Sequence, residues 1–257
     1  MPEFFTSAGS RIHHEVYGDA SASPLLLLEG MGGDIPGWRR NIPHLSRELF
    51  VVAFDLRGNG LSDSPDEPMS MATFTGDVIE LMDHLGLARA HIYGQSFGGM
   101  VAQELALTAP SRVAALILAA THCGGAHAVQ KGYAVPKDRP YLALYSQRFA
   151  EEHPDHIAED LEVGGRNPQE AHSRRRQWEA MQGFDSFDRL PTLKAPTLVL
   201  HGSEDRLVPA ENAQLLADRI PGAESRILIG AGHLYHSEQA DAADAAVLGF
   251  IRRHPDG

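Results

Sequence analysis

A serine between two glycines is the pattern in this sequence best suited to covalent chemistry. Residues 94–98 read Gly-Gln-Ser-Phe-Gly, so Ser96 stands at the centre of a G-x-S-x-G pattern. An apolar run at 90–93 precedes the pattern and a helix-forming run at 100–107 follows it, which is the strand-turn-helix setting of a nucleophile elbow. Because glycine has no Cβ, the flanking positions allow a strained turn that exposes the serine hydroxyl. We therefore predict that Ser96 is a nucleophile.

A serine hydroxyl is a weak nucleophile at neutral pH and needs a histidine base that a carboxylate orients. After a nucleophile elbow, the acid and then the histidine are expected further along the chain. Asp205 follows an apolar run at 197–200, and His233 follows a predicted strand at 226–229. Glu204 is the neighbouring alternative acid, and His236 is an alternative histidine whose position favours the start of a helix. The loop after the strand at 113–120 contains no carboxylate, so Asp205 is favoured by elimination.

An acyl-transfer intermediate also needs two N–H donors where negative charge develops on the carbonyl oxygen. The expected donors are the residue after the nucleophile, Phe97, and Met31, in the glycine-rich loop at 30–33 that follows a predicted strand. This loop has neither of the usual glycine-rich phosphate-binding patterns. A metal site at His233 and His236 lacks a third ligand and the H-E-x-x-H pattern. We predict no metal site.

These residues must be positioned by a sheet, because short apolar runs alternate with amphipathic stretches along the chain. Alternation of this kind predicts a parallel sheet with helices on both faces, and ligands bind at the carboxyl ends of its strands. Ser96, Asp205 and His233 each follow a predicted strand, so they are expected at one edge. The predicted strands are 12–17, 25–28, 50–54, 90–93, 113–120, 197–200 and 226–229. The predicted helices are 38–47, 73–85, 100–109, 211–219 and 241–253.

The alternation stops between the strands at 113–120 and 197–200, a gap far longer than the usual connection of 2 to 6 residues. We predict a core at 1–121 and 194–257, with a helical cap at 122–193. Helical spacing at 141–149, 157–163 and 171–181 supports the cap. Trp178 and Met181 are three residues apart and share a helix face, so they either line a substrate pocket or pack the cap against the core. Trp38 and His122 are the other candidate pocket residues.

Composition excludes several classes of partner. The 257 residues carry a formal net charge of −12, whereas proteins that bind nucleic acid or anionic membranes have basic surfaces. The single cysteine, Cys123, excludes an intrachain disulfide. The first residues have no basic targeting region, and no apolar run reaches the ~18 residues that span a bilayer. We expect a cytoplasmic protein with a small-molecule partner, and the sequence does not predict its oligomeric state.

Five landmarks in this order resemble the α/β-hydrolase superfamily over nearly the whole chain. They are the loop at 30–33, the turn at 55–63, the elbow at 94–99, the acid loop at 202–209 and the pair at 232–233. The pattern is similar to the capped esterase and lactonase branch, which includes enol-lactonases, carbon-carbon bond hydrolases and cofactor-free haloperoxidases. The resemblance implies an eight-stranded, mostly parallel sheet with a helical cap, no cofactor, and a catalytic triad of Ser96, Asp205 and His233. Glu29 departs from the family, since many relatives have a histidine there that braces the oxyanion loop.

The leading hypothesis is a serine hydrolase of the carboxylesterase or lactonase type. It would act on a carboxylic ester, thioester or lactone through an acyl-enzyme on Ser96. The alternative is a carbon-carbon bond hydrolase or a lyase that uses the same triad. A ligand sensor that retains the fold is a third hypothesis, which an intact triad disfavours.

Overall fold

A single eight-stranded β-sheet forms the centre of the molecule. The structure, a computed structural model, describes residues 3–132 and 136–255. All seven predicted strands lie in the sheet, and one short strand at its edge was not predicted, because three residues are too few to show an alternating pattern. The strands are β1 (Glu3–Phe5), β2 (Arg11–Tyr17), β3 (Pro24–Leu28), β4 (Phe50–Phe54), β5 (Ala90–Gln95), β6 (Val113–Ala119), β7 (Thr197–Gly202) and β8 (Glu224–Leu228).

The order of the strands confirms the predicted α/β architecture. They lie in the order β1-β2-β4-β3-β5-β6-β7-β8. The pairs β1/β2 and β2/β4 are antiparallel, and the other neighbouring pairs are parallel. The carboxyl ends of β3, β5, β7 and β8 therefore meet at one edge of the sheet. The loops predicted to carry the nucleophile, acid, histidine and oxyanion donors all begin there.

Helices cover both faces of the sheet, and two of the predicted helices are divided. In place of the predicted helix at 38–47, the structure has a 3-10 turn (Ile35–Trp38) followed by one short helix. A continuous helix is not possible here because Pro43 has no backbone N–H to donate to the preceding turn. At 141–149 the structure has a 3-10 turn (Pro140–Ala143), and the next helix starts only after Ser146 caps it. The α-helices are α1 (Ile42–Leu45), α2 (Met71–His84), α3 (Phe97–Thr108), α4 (Gln147–Glu152), α5 (Pro154–Gly164), α6 (Ala171–Gln182), α7 (Glu211–Arg219), α8 (Tyr235–Glu238) and α9 (Ala240–Arg253).

Strand β3 shows why the central strands read as unbroken apolar runs. Leu26 and Leu28 belong to the apolar cluster on one face of the sheet, and Leu25 and Leu27 belong to the cluster on the other face. All four side chains are completely buried. Since a fully buried leucine stabilises the fold by about 1.5 to 3 kcal/mol, this strand holds the loop that follows it in a fixed place.

The described residues of the 122–193 segment include helices α4, α5 and α6 with non-helical stretches between them. Hydrogen bonds fasten the segment to the rest of the chain. Gln177 Nε2 donates to the carbonyl oxygen of Arg57 at 2.9 Å, and Asn167 Nδ2 donates to Asp34 Oδ2 at 3.2 Å. On another side of the segment, Arg39 pairs with Asp160. Several separate contacts of this kind oppose free movement of the segment.

Candidate active site

Ser96 occupies a strained turn between β5 and α3. Its φ of 53° and ψ of −114° are unusual for a residue with a side chain. The carbonyl oxygen of Ser96 accepts a hydrogen bond from Thr121 Oγ1 at 2.7 Å, which helps to hold the turn. A Cβ at Gly98 would overlap the backbone of Leu28, and one at Gly94 would overlap the carbonyl of Gly98. Both glycines of the pattern are therefore required by close backbone approach.

Asp205 and His233 are in direct contact. His233 Nδ1 lies 2.7 Å from Asp205 Oδ2, and both side chains are buried. The backbone N–H groups of Leu207 and Val208 donate to Asp205 Oδ1 at 2.9 and 2.8 Å. A carboxylate accepts the proton on Nδ1, so this arrangement assigns Nδ1–H to His233 and leaves Nε2 as the basic nitrogen.

A second histidine, which sequence reasoning missed, also contacts the acid. His201 Nε2 lies 3.2 Å from Asp205 Oδ2 and 2.8 Å from the carbonyl oxygen of Val208. Burial alone would raise the pKa of Asp205, but the charge of His233 and the hydrogen bonds from His201 and His233 outweigh burial. Together they lower the pKa of Asp205 to about 2. The only sequence signal for His201 was its place at the end of β7, four residues before the acid.

The nucleophile turn and the histidine loop touch each other. Gln95, the residue before Ser96, donates from Nε2 to the carbonyl oxygen of His233 at 3.4 Å. The structure thus brings the loops of Ser96, Asp205 and His233 to the same edge of the sheet. Their assignment as a catalytic triad stays a prediction.

The loop at 30–33, which we call the oxyanion loop, lies close to the nucleophile. A Cβ at Gly30 would lie 3.2 Å from Ser96 Cβ and 2.7 Å from Gln95 Oε1. Within the described part of the chain, the N–H groups of Met31 and Phe97 donate to no protein acceptor. Both amides are therefore free to bind a substrate oxygen, as the predicted role requires.

Asn59 braces the oxyanion loop, and sequence reasoning did not single it out. Its Nδ2 donates to the carbonyl oxygens of Gly30 and Gly33 at 3.1 and 2.7 Å. Its Oδ1 accepts from the N–H of Gly32 at 3.3 Å. The sequence signal was indirect, because Asn59 belongs to the turn at 55–63 that resembles a family landmark.

Of the three candidate pocket residues, His122 interacts electrostatically with two histidines of the candidate site, His201 and His233. Burial and the neighbouring His201 and His233 lower the pKa of His122 to about 4, so its ring is neutral at pH 7. Its Nδ1 accepts the N–H of Gly124 at 3.0 Å, which places the ring proton on Nε2.

The two tryptophans have different surroundings. Trp38 is buried in the apolar cluster against Tyr93 and His236, with ring centroids 4.8 and 4.7 Å away. Trp178 is 53% exposed, whereas Met181 packs partly buried against the core. The prediction that Trp178 and Met181 line one pocket gains no support from these positions.

Glu29, the departure from the family pattern, is buried directly before the oxyanion loop. Its Oε1 accepts the N–H of Gly30 at 3.0 Å. Burial and, to a smaller extent, the nearby Asp34 raise the pKa of Glu29 to about 7, against the hydrogen bond from Gly30 and the charge of His233. The site therefore contains a carboxyl group that changes charge near neutral pH.

The described residues contain neither a metal-binding cluster nor a membrane-spanning helix. Across residues 3–132 and 136–255, no three His, Cys, Asp or Glu side chains are arranged to hold a metal ion. In the same part of the chain, no helix has the length and apolar character needed to cross a bilayer.

Comparison with known proteins identifies the family. The sequence model of a protein family, described as the alpha/beta hydrolase fold, matches residues 23–159. A protein of Variovorax paradoxus named "Putative carbamate hydrolase RutD" is 30% identical, over 94% of this chain and 96% of that protein. The chain belongs to the alpha/beta hydrolase fold family.

Solved structures agree with this assignment. The crystal structure of a hydrolase from Pseudomonas aeruginosa has a TM-score of 0.87 and 30% identity, and the match covers 97% of each chain. The enol-lactonase from Burkholderia xenovorans has a TM-score of 0.85 and 26% identity, over 98% of this chain and 100% of that one. The predicted eight-stranded fold and the predicted resemblance are both confirmed.

Proposed function

We propose that this hydrolase cleaves carboxylic esters, thioesters or lactones through an acyl-enzyme on Ser96. The observation that carries the proposal is the buried pair of Asp205 and His233, with Nδ1 and Oδ2 2.7 Å apart, beside a strained serine turn. A serine, a histidine base and an orienting carboxylate are the groups that acyl transfer requires.

The proposed reaction has two halves. Ser96 Oγ attacks the substrate carbonyl while His233 Nε2 takes the hydroxyl proton, and the oxygen that becomes negative is held by the N–H groups of Met31 and Phe97. The bond to the leaving group then breaks as His233 returns the proton to it. Water attacks the acyl-enzyme in the second half, His233 takes a proton from the water, and Ser96 leaves with that proton.

Asp205 stays ionised during this cycle. Its pKa of about 2 lies far below neutral pH, so the carboxylate orients His233 and stabilises the imidazolium that forms without taking the proton itself. His201 and the two backbone N–H groups keep the carboxylate in place for this role.

We also propose that the 122–193 segment caps the site. The support is its direct contact with the histidine loop: the N–H of Leu234 donates to the carbonyl oxygen of Leu144 at 2.9 Å. Glu238 Oε1 accepts the N–H groups of both Gly232 and Ser146. A cap held in this way would exclude water and shape the space for substrate.

Carbamates are the second candidate substrates. The relative from Variovorax paradoxus is named for carbamate hydrolysis, and the solved relative from Burkholderia xenovorans is named an enol-lactonase. A carbamate and a lactone each present a carbonyl bonded to a heteroatom leaving group, so the same groups would act on both.

Hydrolysis of p-nitrophenyl esters of graded acyl length, aryl carbamates and enol-lactones tests the proposal. The panel is run on the protein, on Ser96→Ala and on Ser111→Ala, whose serine lies exposed in a distant turn. In Ser96→Ala we expect turnover to fall ~10⁴- to 10⁶-fold and fluorophosphonate labelling to vanish, because the serine oxygen that the probe modifies is gone. Both should stay unchanged in Ser111→Ala. Absence of both in the unaltered protein would contradict the proposal and favour a carbon-carbon bond hydrolase or a ligand sensor.

A further inference from the structure

Glu29 connects the last residue of β3 to the oxyanion loop. Its side chain is 7% exposed and turns back onto its own loop, where Oε1 accepts the N–H of Gly30 at 3.0 Å. Gly30 directly precedes Met31, the predicted oxyanion donor. The carboxyl group therefore fixes the peptide next to the amide that would contact the reacting carbonyl.

The backbone around Glu29 is shaped to fit this side chain. A Cβ at Gly33 would overlap the Glu29 side chain, and one at Gly37 would lie 3.0 Å from Glu29 Oε2. Only glycine leaves this room without displacing the side chain. The oxyanion loop at Gly33 and the 3-10 turn at Gly37 therefore enclose the carboxyl group on two sides. Removing the carboxyl would leave the loop without its central support.

The second carboxyl oxygen, Oε2, is buried and has no hydrogen-bond partner among the residues that the structure describes. His236 Nε2 lies 3.9 Å away, too far for a hydrogen bond. Burial and the charge of His233 lower the pKa of His236 to about 3, so His236 is neutral and supplies no counter-charge. An ionised carboxylate is costly in such a place.

Among the residues that the structure describes, five ionisable side chains from neighbouring elements interact with Glu29. Asp34 lies before the 3-10 turn, and its negative charge opposes ionisation of Glu29. His233 favours ionisation of Glu29 only when the His233 ring is itself charged. The other three side chains, those of Tyr93, Tyr235 and His236, are neutral at pH 7. The five are Asp34, Tyr93, His233, Tyr235 and His236.

We propose that Glu29 is a positioning residue that holds the oxyanion loop in its active conformation as the neutral acid. The carbonyl oxygen of a neutral carboxyl still accepts the N–H of Gly30. A charged carboxylate would place a second negative charge beside the oxyanion that forms at Met31, where low dielectric strengthens repulsion. This inference rests on the proposed acyl-transfer function.

Three variants test the proposal, with kcat and KM measured from pH 5.5 to 9 on an ester that the unaltered protein hydrolyses. Glu29→Ala removes the support, so kcat is expected to fall on the order of 10²-fold with little change in KM, as when an oxyanion donor is lost. Glu29→Gln keeps a neutral acceptor for Gly30 and is expected to retain kcat within about threefold at pH 6. Asp34→Asn is the control, because it removes the charge of the buried carboxyl group next to Glu29 and leaves Glu29 itself in place.

The pH profiles distinguish the structural support that Glu29 gives to the oxyanion loop from the effect of its charge on kcat. The carboxyl group of Glu29 must stay protonated, and its pKa is raised to about 7. The kcat of the unaltered protein is therefore expected to fall as pH rises through 7. Glu29→Gln lacks this falling limb and becomes the faster enzyme at pH 8.5. In Asp34→Asn the limb remains but moves to lower pH, because the charge that opposes ionisation of Glu29 is gone.

Two outcomes would overturn the proposal. One is Glu29→Ala with kcat within about threefold of the unaltered protein; the other is a falling limb that persists in Glu29→Gln. If Glu29→Ala does not fold, the profile of Glu29→Gln decides alone. Failure of the proposed function is seen separately, as an unaltered protein that neither turns over nor labels at Ser96.

Discussion

At the edge of the sheet, Asp205 has partners at both of its carboxylate oxygens. Two backbone N–H groups bind its Oδ1, while His233 and His201 lie within 3.2 Å of its Oδ2. Glu204, the other acid that the sequence offered, is exposed on the same loop. Burial and partner geometry both favour Asp205 as the group that orients the histidine.

We expect Asp205→Asn to lower kcat about 10³- to 10⁴-fold, because an amide can donate a hydrogen bond to Nδ1 and favour the wrong tautomer of His233. Glu204→Gln is the matched control and should stay within about twofold of the unaltered protein. Steady-state kinetics on the preferred ester checks both. A large loss in Glu204→Gln with little loss in Asp205→Asn would reverse the assignment of the acid.

Among the elements, the short helix α8 links the site to the 122–193 segment. Its last residue, Glu238, accepts the N–H of Gly232 at 2.9 Å, and it accepts both the N–H and the hydroxyl of Ser146 at 3.0 and 2.7 Å. Ser146 in turn caps α4 through the N–H of Phe149 at 3.3 Å. One carboxyl group therefore ties the start of α4 to the peptide before His233.

We expect Ser146→Ala to raise amide hydrogen exchange in α4 and to lower kcat several-fold. The variant loses a helix cap worth about 1 kcal/mol and one of the hydrogen bonds to Glu238. Ser70→Ala is the control, since Ser70 caps α2 in the same way with Thr73 as partner.

Hydrogen exchange followed by mass spectrometry, together with kcat, distinguishes the effects of Ser146→Ala and Ser70→Ala. Ser70→Ala should lose a similar free energy of unfolding while keeping kcat. Equal changes in kcat for both variants would show that α4 matters to the site only through global stability.

For the whole molecule, the features that the sequence predicted well are those set by local periodicity and chain order. Strands such as β3 and β7 are buried on both faces, so their apolar runs are unbroken and visible. Because parallel strands end at one edge, the positions of Ser96, Asp205 and His233 after three of them predicted that their loops would meet. That expectation needed no knowledge of side-chain contacts.

Features that depend on contacts between distant elements were not predictable in this way. The spacing of Trp178 and Met181 gives a shared helix face but not the element that covers it, and Trp178 is exposed. Asn59 contacts the site through a hydrogen bond to the oxyanion loop, which is remote in sequence. His201 contacts Asp205 across a turn. Their residue types are also common in ordinary turns, so only the folded arrangement distinguishes them.

The charge of buried carboxyl groups also affects the stability of the whole molecule, and Asp244 in α9 shows this away from the site. Its side chain is fully buried, with Oδ1 accepting from Asn41 Nδ2 at 2.9 Å and Oδ2 3.4 Å from His44 Nδ1. Burial raises the pKa of Asp244 from 3.8 to about 7, against the opposing effects of Asn41 and His44. Between these two values the folded protein keeps a proton that the unfolded chain has released. The free energy of unfolding therefore falls as pH rises from about 4 to 7.

Asp244→Asn removes this titration while keeping an oxygen that accepts from Asn41. At pH 5 the folded protein still keeps Asp244 neutral while the unfolded chain has released the proton, so only the smaller part of the stability loss has occurred and the variant should be only slightly more stable in urea. At pH 8 the folded protein carries the buried charge as well, and we expect the advantage of the variant to be larger than at pH 5 by about 2 kcal/mol, within the scale of about 1.4 kcal/mol per pKa unit. Asp188→Asn, at a side chain 95% exposed, should change stability by less than about 0.5 kcal/mol at either pH. A stability difference for Asp244→Asn that is the same at pH 5 and pH 8 would mean that this carboxyl does not titrate in that range, and that its neighbours tolerate the buried charge.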